Sequence, residues 1–209
     1  MKYFILILTS VLFFNIHAQK EESPQKTLFG SKKRSLRAYI AINHKAIELN
    51  NQLGFMAGGE VSLVFNHKFN LGFFGYGMYN DVQSNYIDSH NYRHYYEVGM
   101  GGLKLEPVFF SNSVVHFTTP LEIGVGGISL NRNRIYYEDS NFDWESSIND
   151  YDFFGFIEPG IKAEINLFKN LRFSGGIGYQ FTDVVNLAGT NNYPLNGFVG
   201  NVSLKLGWF

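Results

Sequence analysis

The chain has 209 residues, with 22 glycines, no cysteine, 17% aromatic and 17% charged residues, and a formal net charge of −1. That length suits one domain with a tail. The lack of cysteine excludes disulfides, thiolate metal sites and a Cys nucleophile, the near-neutral charge argues against nucleic acid as a partner, and a mean hydropathy of −0.10 argues against a bundle of membrane helices.

In chain order, Lys2 precedes an apolar run from Phe4 to Phe14, and Ala18-Gln19 offers a cleavage point. This is the layout of a secretory signal peptide, predicted over 1–18. At 1.5 Å per residue the run is too short to span a bilayer core of ~30 Å. Residues 19–34 are polar and basic (Lys32, Lys33, Arg34) without periodicity, which predicts a flexible periplasmic lead-in.

From 35 to 209 the chain alternates apolar and polar residues with the period of a strand. Strands are predicted at 36–46, 55–66, 69–82, 94–110, 114–130, 153–167, 171–182 and 198–208. The clearest places Leu171, Phe173, Ile177, Tyr179 and Phe181 on one face and Arg172, Ser174, Gly176, Gly178 and Gln180 on the other. In the fourth, the apolar set passes from Tyr96, Val98 and Met100 to Leu103, Leu105 and Pro107. That change of phase predicts a β-bulge at Gly101-Gly102. Links near 67–69, 111–113 and 168–170 are short, and those near 47–53, 83–93, 131–151 and 185–196 are longer.

Eight strands with alternating short and long links predict an all-β fold: an eight-stranded antiparallel transmembrane β-barrel with short periplasmic turns and longer extracellular loops. A soluble sandwich or lipocalin-like barrel shows the same alternation but carries a Lys/Glu-rich outer face. Here aromatics gather at both strand ends. Phe65, Phe69, Phe109, Phe117, Phe168, Phe173, Trp208 and Phe209 mark the short-turn end, and Phe55, Tyr79, Tyr95, Tyr96, Phe153, Phe181 and Phe198 the long-loop end. Two aromatic girdles around an apolar band suit a bilayer.

The runs Asn66-His67-Lys68-Phe69, Gly75-Tyr76-Gly77, Gly99 to Glu106, Val115-His116-Phe117, Glu158-Pro159-Gly160-Ile161 and Glu164-Ile165-Asn166-Leu167 resemble those of small eight-stranded outer-membrane barrels of the Bacteroidota type, with OmpA/OmpW-like architecture. The resemblance covers most of 36–209 and departs at the last strand, whose apolar phase falls on Leu204, Leu206 and Trp208 rather than on Phe209. It implies a fold and a location in a Gram-negative outer membrane and transfers no catalytic residue.

Strand parity turns Arg37, Lys104, Lys162, Arg172 and Lys205 inward together with Glu60, Glu106, Glu122, Glu158 and Glu164. In a lumen only wide enough for side chains, buried opposite charges are expected to pair and close the barrel; a narrow ion path or gated, porin-like pore is the other reading. His116 is expected among these charges as a hydrogen-bonded lumen residue. Toward the long loops the inward set becomes Met56, Tyr76, Met78, Phe154 and Phe156, which is either packing or a pocket for an apolar ligand.

Catalysis has weak support. Asp88-Ser89-His90, with His94 nearby, supplies the residue types of a lipid-modifying acyl enzyme, but adjacency in a loop is not triad geometry. Glu138, Asp139, Asp143, Glu145, Asp150 and Asp152 read as a solvated acidic loop, without EF-hand spacing for Ca²⁺. Tyr136, Tyr137, Phe142, Trp144 and Tyr151 beside them offer a protein-contact surface.

The sequence therefore predicts a non-enzymatic barrel, structural or surface-binding through its loops, with a carrier or receptor for a small hydrophobic molecule as the alternative and a lipid-modifying enzyme third. The expected partners are outer-membrane lipids and lipopolysaccharide, the barrel-assembly machinery, and a hydrophobic small molecule or surface protein. The chain is expected to be a monomer, without nucleic acid, metal or cofactor.

Overall fold

Along every long strand, alternation in the sequence becomes alternation of buried and exposed side chains. The structure, a computed structural model, describes residues 35–87, 93–131 and 148–209. The strands are β1 (Leu36–Leu49), β2 (Gln52–Phe65), β3 (Phe69–Met78), β4 (Val82–Ile87), β5 (Arg93–Phe109), β6 (Val115–Thr118), β7 (Leu121–Asn131), β8 (Ile148–Phe168), β9 (Leu171–Thr182) and β10 (Gly197–Gly207).

Antiparallel pairing runs β1–β2–β3–β5–β7–β8–β9–β10 and returns to β1 through a register from Tyr39↔Gly207 to Ile47↔Val199. The ten segments therefore form eight staves of a closed barrel. β4 carries the third stave upward along β5. β6 and β7 are one stave broken at Thr119-Pro120, where Pro120 has no N–H to give the ladder. Closure removes the free edges that would otherwise recruit other strands.

The outer face is apolar and unburied within the chain: Ile42, Val61, Phe73, Val125, Ile177 and Leu206 are all more than half exposed. A continuous band of this kind is untenable in water and natural in lipid. Among the aromatics assigned to the girdles, Phe55, Tyr79, Phe153, Phe181 and Phe198 rim one end, and Phe109, Phe117, Phe168, Phe173 and Trp208 the other.

Four expectations need correction. No bulge occurs at Gly101-Gly102: β5 keeps unbroken register with β3 and β7 through both glycines. Tyr96, Val98, Met100, Lys104 and Glu106 share one inward face, and Leu103 points out. What changes at the glycines is the polarity of the lumen, not the phase of the strand. Tyr96 consequently leaves the girdle for the lumen, and Phe209 also turns inward, at 8% exposure. The link expected over 47–53 contracts to Asn50-Asn51, both at positive φ (52° and 61°), with Leu49 facing Gln52. That is the conformation of a two-residue hairpin turn, which asparagine tolerates. Lastly, β4 and the start of β8 take up parts of the links expected over 83–93 and 131–151. The predicted signal peptide and lead-in, Asp88-Ser89-His90, and residues 132–147 of the acidic loop lie outside the described residues.

Glycine makes two close approaches feasible. Gly102 and Gly124 face one another across β5–β7, where a Cβ on either would strike the partner backbone. A Cβ on Gly126 would strike the Phe154 ring, so this glycine makes room for an aromatic lumen filler.

Candidate functional site

The lumen is the part of the molecule built from ionisable groups. Its lower tier, toward the short turns, centres on Glu106 of β5, which is fully buried. Lys104 Nζ lies 3.0 Å from Glu106 and 2.5 Å from Glu60 Oε1. Lys205 Nζ reaches the two oxygens of Glu106 at 3.2 and 3.1 Å and also contacts Glu164. Tyr39 Oη donates to Glu60 at 2.6 Å and to Glu106 at 3.2 Å. Asn70 and Thr118 each donate to Glu106 at 3.0 Å, and Ser62 donates to Glu60 at 2.5 Å. His116 Nε2 lies 3.0 Å from Glu164. One carboxylate thus binds groups from β1, β3, β5, β6 and β10 across the barrel, giving its lone pairs the partners that burial demands.

The upper tier is organised by Lys45, a lumen residue that the sequence reading did not single out. Its Nζ donates to Glu122 and Glu158, each at 2.8 Å, and sits 4.3 Å from the centroid of the Tyr76 ring. Lys162 Nζ lies 3.9 Å from Glu122. Parity alone places Lys45 inside, because Ile40 and Ile42 point outward and Arg37, Tyr39, Ala41, Asn43 and Lys45 share the opposite face. Among the described residues, the buried charges are Lys45, Lys104, Lys162, Arg172 and Lys205 against Glu60, Glu106, Glu122, Glu158 and Glu164.

Arg37, expected inside, lies instead at the exposed rim of the short-turn mouth. Its Nε donates to Ser35 Oγ at 3.1 Å, and Nη1 donates to the main-chain oxygen of Phe209. Its strand face is inward, but it sits one step below Tyr39, where the interior has already opened to solvent. Phe209 stoppers this mouth: its ring lies 5.4 Å from Tyr39 and 3.9 Å from the Arg172 guanidinium carbon, a cation–π contact. Arg172 also lies 3.9 Å from Glu164. In the adjacent turn, burial and then the nearby Arg37 and Arg172 lower the pKa of His67 from its usual value.

Above Lys45 the lumen is mainly apolar, with His94, Ser84, Asn131 and Gln180 also buried. Met56, Tyr76, Phe154 and Phe156 join one buried cluster, and Met78 packs against it at partial exposure. Phe74, Tyr96, Val98 and Met100 belong to the same cluster. So do Val185, Leu187 and Leu195 from the segment between β9 and β10, which folds into the mouth. That segment is held by the carboxylates of β8: Asn186 N–H donates to Asp152 at 2.7 Å, and Ala188 N–H to Asp150 at 2.9 Å. Tyr96 Oη and Thr190 Oγ1 share a hydrogen bond of 2.7 Å. Asp150 and Asp152, read from the sequence as part of a solvated acidic loop, here fasten a loop to the barrel. An apolar guest in the upper lumen would have to displace Val185, Leu187 and Leu195. His94 faces inward with its ring 5.0 Å from Tyr86. No group of three or more His, Asp or Glu side chains suited to a metal ion occurs among the described residues.

No family model matches the chain, and no curated protein matches it in sequence. Among solved structures, neisserial surface protein A is similar at 13% identity and a TM-score of 0.52, covering 85% of this chain and 99% of that one. The fold is that of an outer-membrane β-barrel. Ail, the attachment invasion locus protein of Yersinia pestis, is similar at 13% identity and a TM-score of 0.45, covering 83% of this chain and 96% of that one. In a phospholipid bilayer nanodisc, Ail gives 12% identity and a TM-score of 0.41, with 83% of this chain and 100% of that one covered.

Proposed function

We propose that the chain is a non-enzymatic outer-membrane barrel of a Gram-negative bacterium, exported on a cleaved signal peptide, with its short turns toward the periplasm. It serves as a closed structural element or acts through its outer loops as a surface-binding protein. The observation that carries this reading is the two-tier ion-pair network: carboxylates and ammonium groups from opposite staves meet across the interior, with Lys45, Lys104, Glu106 and Glu164 fully or almost fully buried. The paired side chains span the interior from opposite staves, and the stoppers at both mouths add to the closure.

The test is a single-channel recording of the folded barrel in a planar bilayer. The expected trace shows no steady open level, with a porin recorded alongside as the positive control. A sustained ohmic conductance would overturn the closed-lumen reading.

A further inference from the structure

The lipid-facing surface is not uniform around the barrel. On β1 the outward residues run Leu36, Ala38, Ile40, Ile42, His44, Ala46 and Glu48, so one of the two small side chains, Ala38, sits near the short-turn end. On β10 the strand closes with Trp208 N–H donating to the Ala38 carbonyl at 2.9 Å. Over Ala38 this leaves a furrow of about 420 Å³ walled by Ile40, Val61, Leu206 and Trp208. The furrow faces the bilayer and is apolar, with a width set by one missing branched side chain.

At its lower end the furrow meets a second recess of about 620 Å³, which contains Arg37, Lys169 and Phe209. Asn170 and Trp208 line both spaces, which sets the furrow and the recess side by side at the rim. The recess is cationic in a cationic neighbourhood. Among the described residues, the three short turns (66–68, 110–114 and 169–170) contain His67, Lys68 and Lys169 and no acidic residue. Arg37 commits one N–H each to Ser35 and Phe209, out of the five that a guanidinium offers.

We infer that the outer face of the β1–β10 seam binds one anionic glycerophospholipid of the short-turn leaflet, its phosphate between Arg37 and Lys169 and an acyl chain in the furrow over Ala38. Arginine and lysine together suit a phosphodiester, the first as a fork and the second as a point charge. Trp208, exposed at 68%, stands where the two spaces meet, at the depth where indole rings sit between acyl chains and headgroups. Basic side chains at a membrane surface favour anionic over zwitterionic lipid. The site rests on the membrane seating proposed above.

The experiment uses the barrel refolded into vesicles, extracted in mild detergent and analysed by native mass spectrometry with equal amounts of phosphatidylglycerol and phosphatidylcholine. Wild type is expected to retain one phosphatidylglycerol with a preference on the order of tenfold. Arg37→Gln with Lys169→Gln should bring that preference to parity. Ala38→Leu, which fills the furrow, should lower retention of both lipids without changing their ratio, and Lys68→Gln, on a different turn, should leave wild-type behaviour. Equal retention of the two lipids by wild type, or an undiminished preference in the double variant, overturns the site while leaving the barrel in place. With lipopolysaccharide added to the same mixture, a preference for it over phosphatidylglycerol also overturns the site. Failure of wild type to insert into vesicles at all would overturn the membrane seating and the lipid site with it.

Discussion

Lys45→Met removes the cation shared by two buried carboxylates that face one another directly across β7–β8, Glu122 and Glu158. At 2.8 Å and an effective dielectric of about 20, each contact carries roughly 6 kcal/mol of gross attraction. Most of that gain offsets the cost of taking the ions out of water. Truncating one partner leaves the others buried without compensation, and such breaks cost about 3–5 kcal/mol. With an unfolding slope of about 2 kcal/mol per molar urea, the midpoint should fall by about 1.5–2.5 M. The assay is equilibrium urea unfolding of the vesicle-inserted barrel followed by tryptophan fluorescence. Adding Glu158→Gln to Lys45→Met should recover most of the loss, because the Glu122 carboxylate that remains still has the Lys162 ammonium at 3.9 Å. A single variant within about 0.5 kcal/mol of wild type would mean that the upper tier is hydrated and the pairs are weak. A double variant as unstable as the single one would shift the credit to the packing of the lysine against Tyr76.

Two further predictions follow from the rims. Asp150→Ala with Asp152→Ala removes the acceptors for the amides of Asn186 and Ala188; their hydrogen exchange should accelerate by about tenfold or more while the barrel amides keep wild-type rates, and unchanged rates would show that the loop is held by its apolar side chains alone. In an NMR titration, His67 should ionise below the ordinary imidazole value because of burial and then of Arg37 and Arg172, and Arg37→Gln should move it upward. A depressed histidine releases its proton more readily when folded, so its contribution to stability is present above the ordinary histidine pKa and is lost as pH falls from that value through the lower folded one. A titration indifferent to Arg37→Gln would sink the electrostatic part of this account.

The barrel was legible because period two makes each outward residue report on lipid. Ile40 and Ile42, or Val202, Leu204 and Leu206, leave little choice of face. The same rule explains the error at Gly101-Gly102. It equates apolar with lipid-facing, and in β5 the upper lumen is apolar as well, so Tyr96, Val98 and Met100 were assigned to the wrong surface. Lys45 is legible by the same parity, since it shares the face of Tyr39, Ala41 and Asn43 opposite Ile40 and Ile42. The ring of carboxylates and lysines was visible as residue types and parity, but which oxygen meets which ammonium depends on the stagger between staves, and that is a property of closure. The loop between β9 and β10 was unreadable as a stopper because Val185, Leu187 and Leu195 have no strand or helix period.

The last stave has a consequence for how the ring forms. Lys205 reaches Glu106 and Glu164, and the Phe209 main chain meets Arg37 across 172 residues of sequence. The contacts of Lys205 with Glu106 and of Phe209 with Arg37 do not exist while the sheet is an open ribbon, because β10 then lies far from both β5 and β1; only Lys205 and Glu164, separated by β9 alone, can meet there. Joining β10 to β1 therefore makes three changes together: it ends the free edges, brings charges of opposite staves together and seats the stopper at the short-turn mouth. A single loop closure, whose entropy rises only slowly with length, thus coincides with the pairing of charges across the lower tier. Partly zipped forms gain few of these bonds, so the seam shuts as one event and the interior acts as its latch.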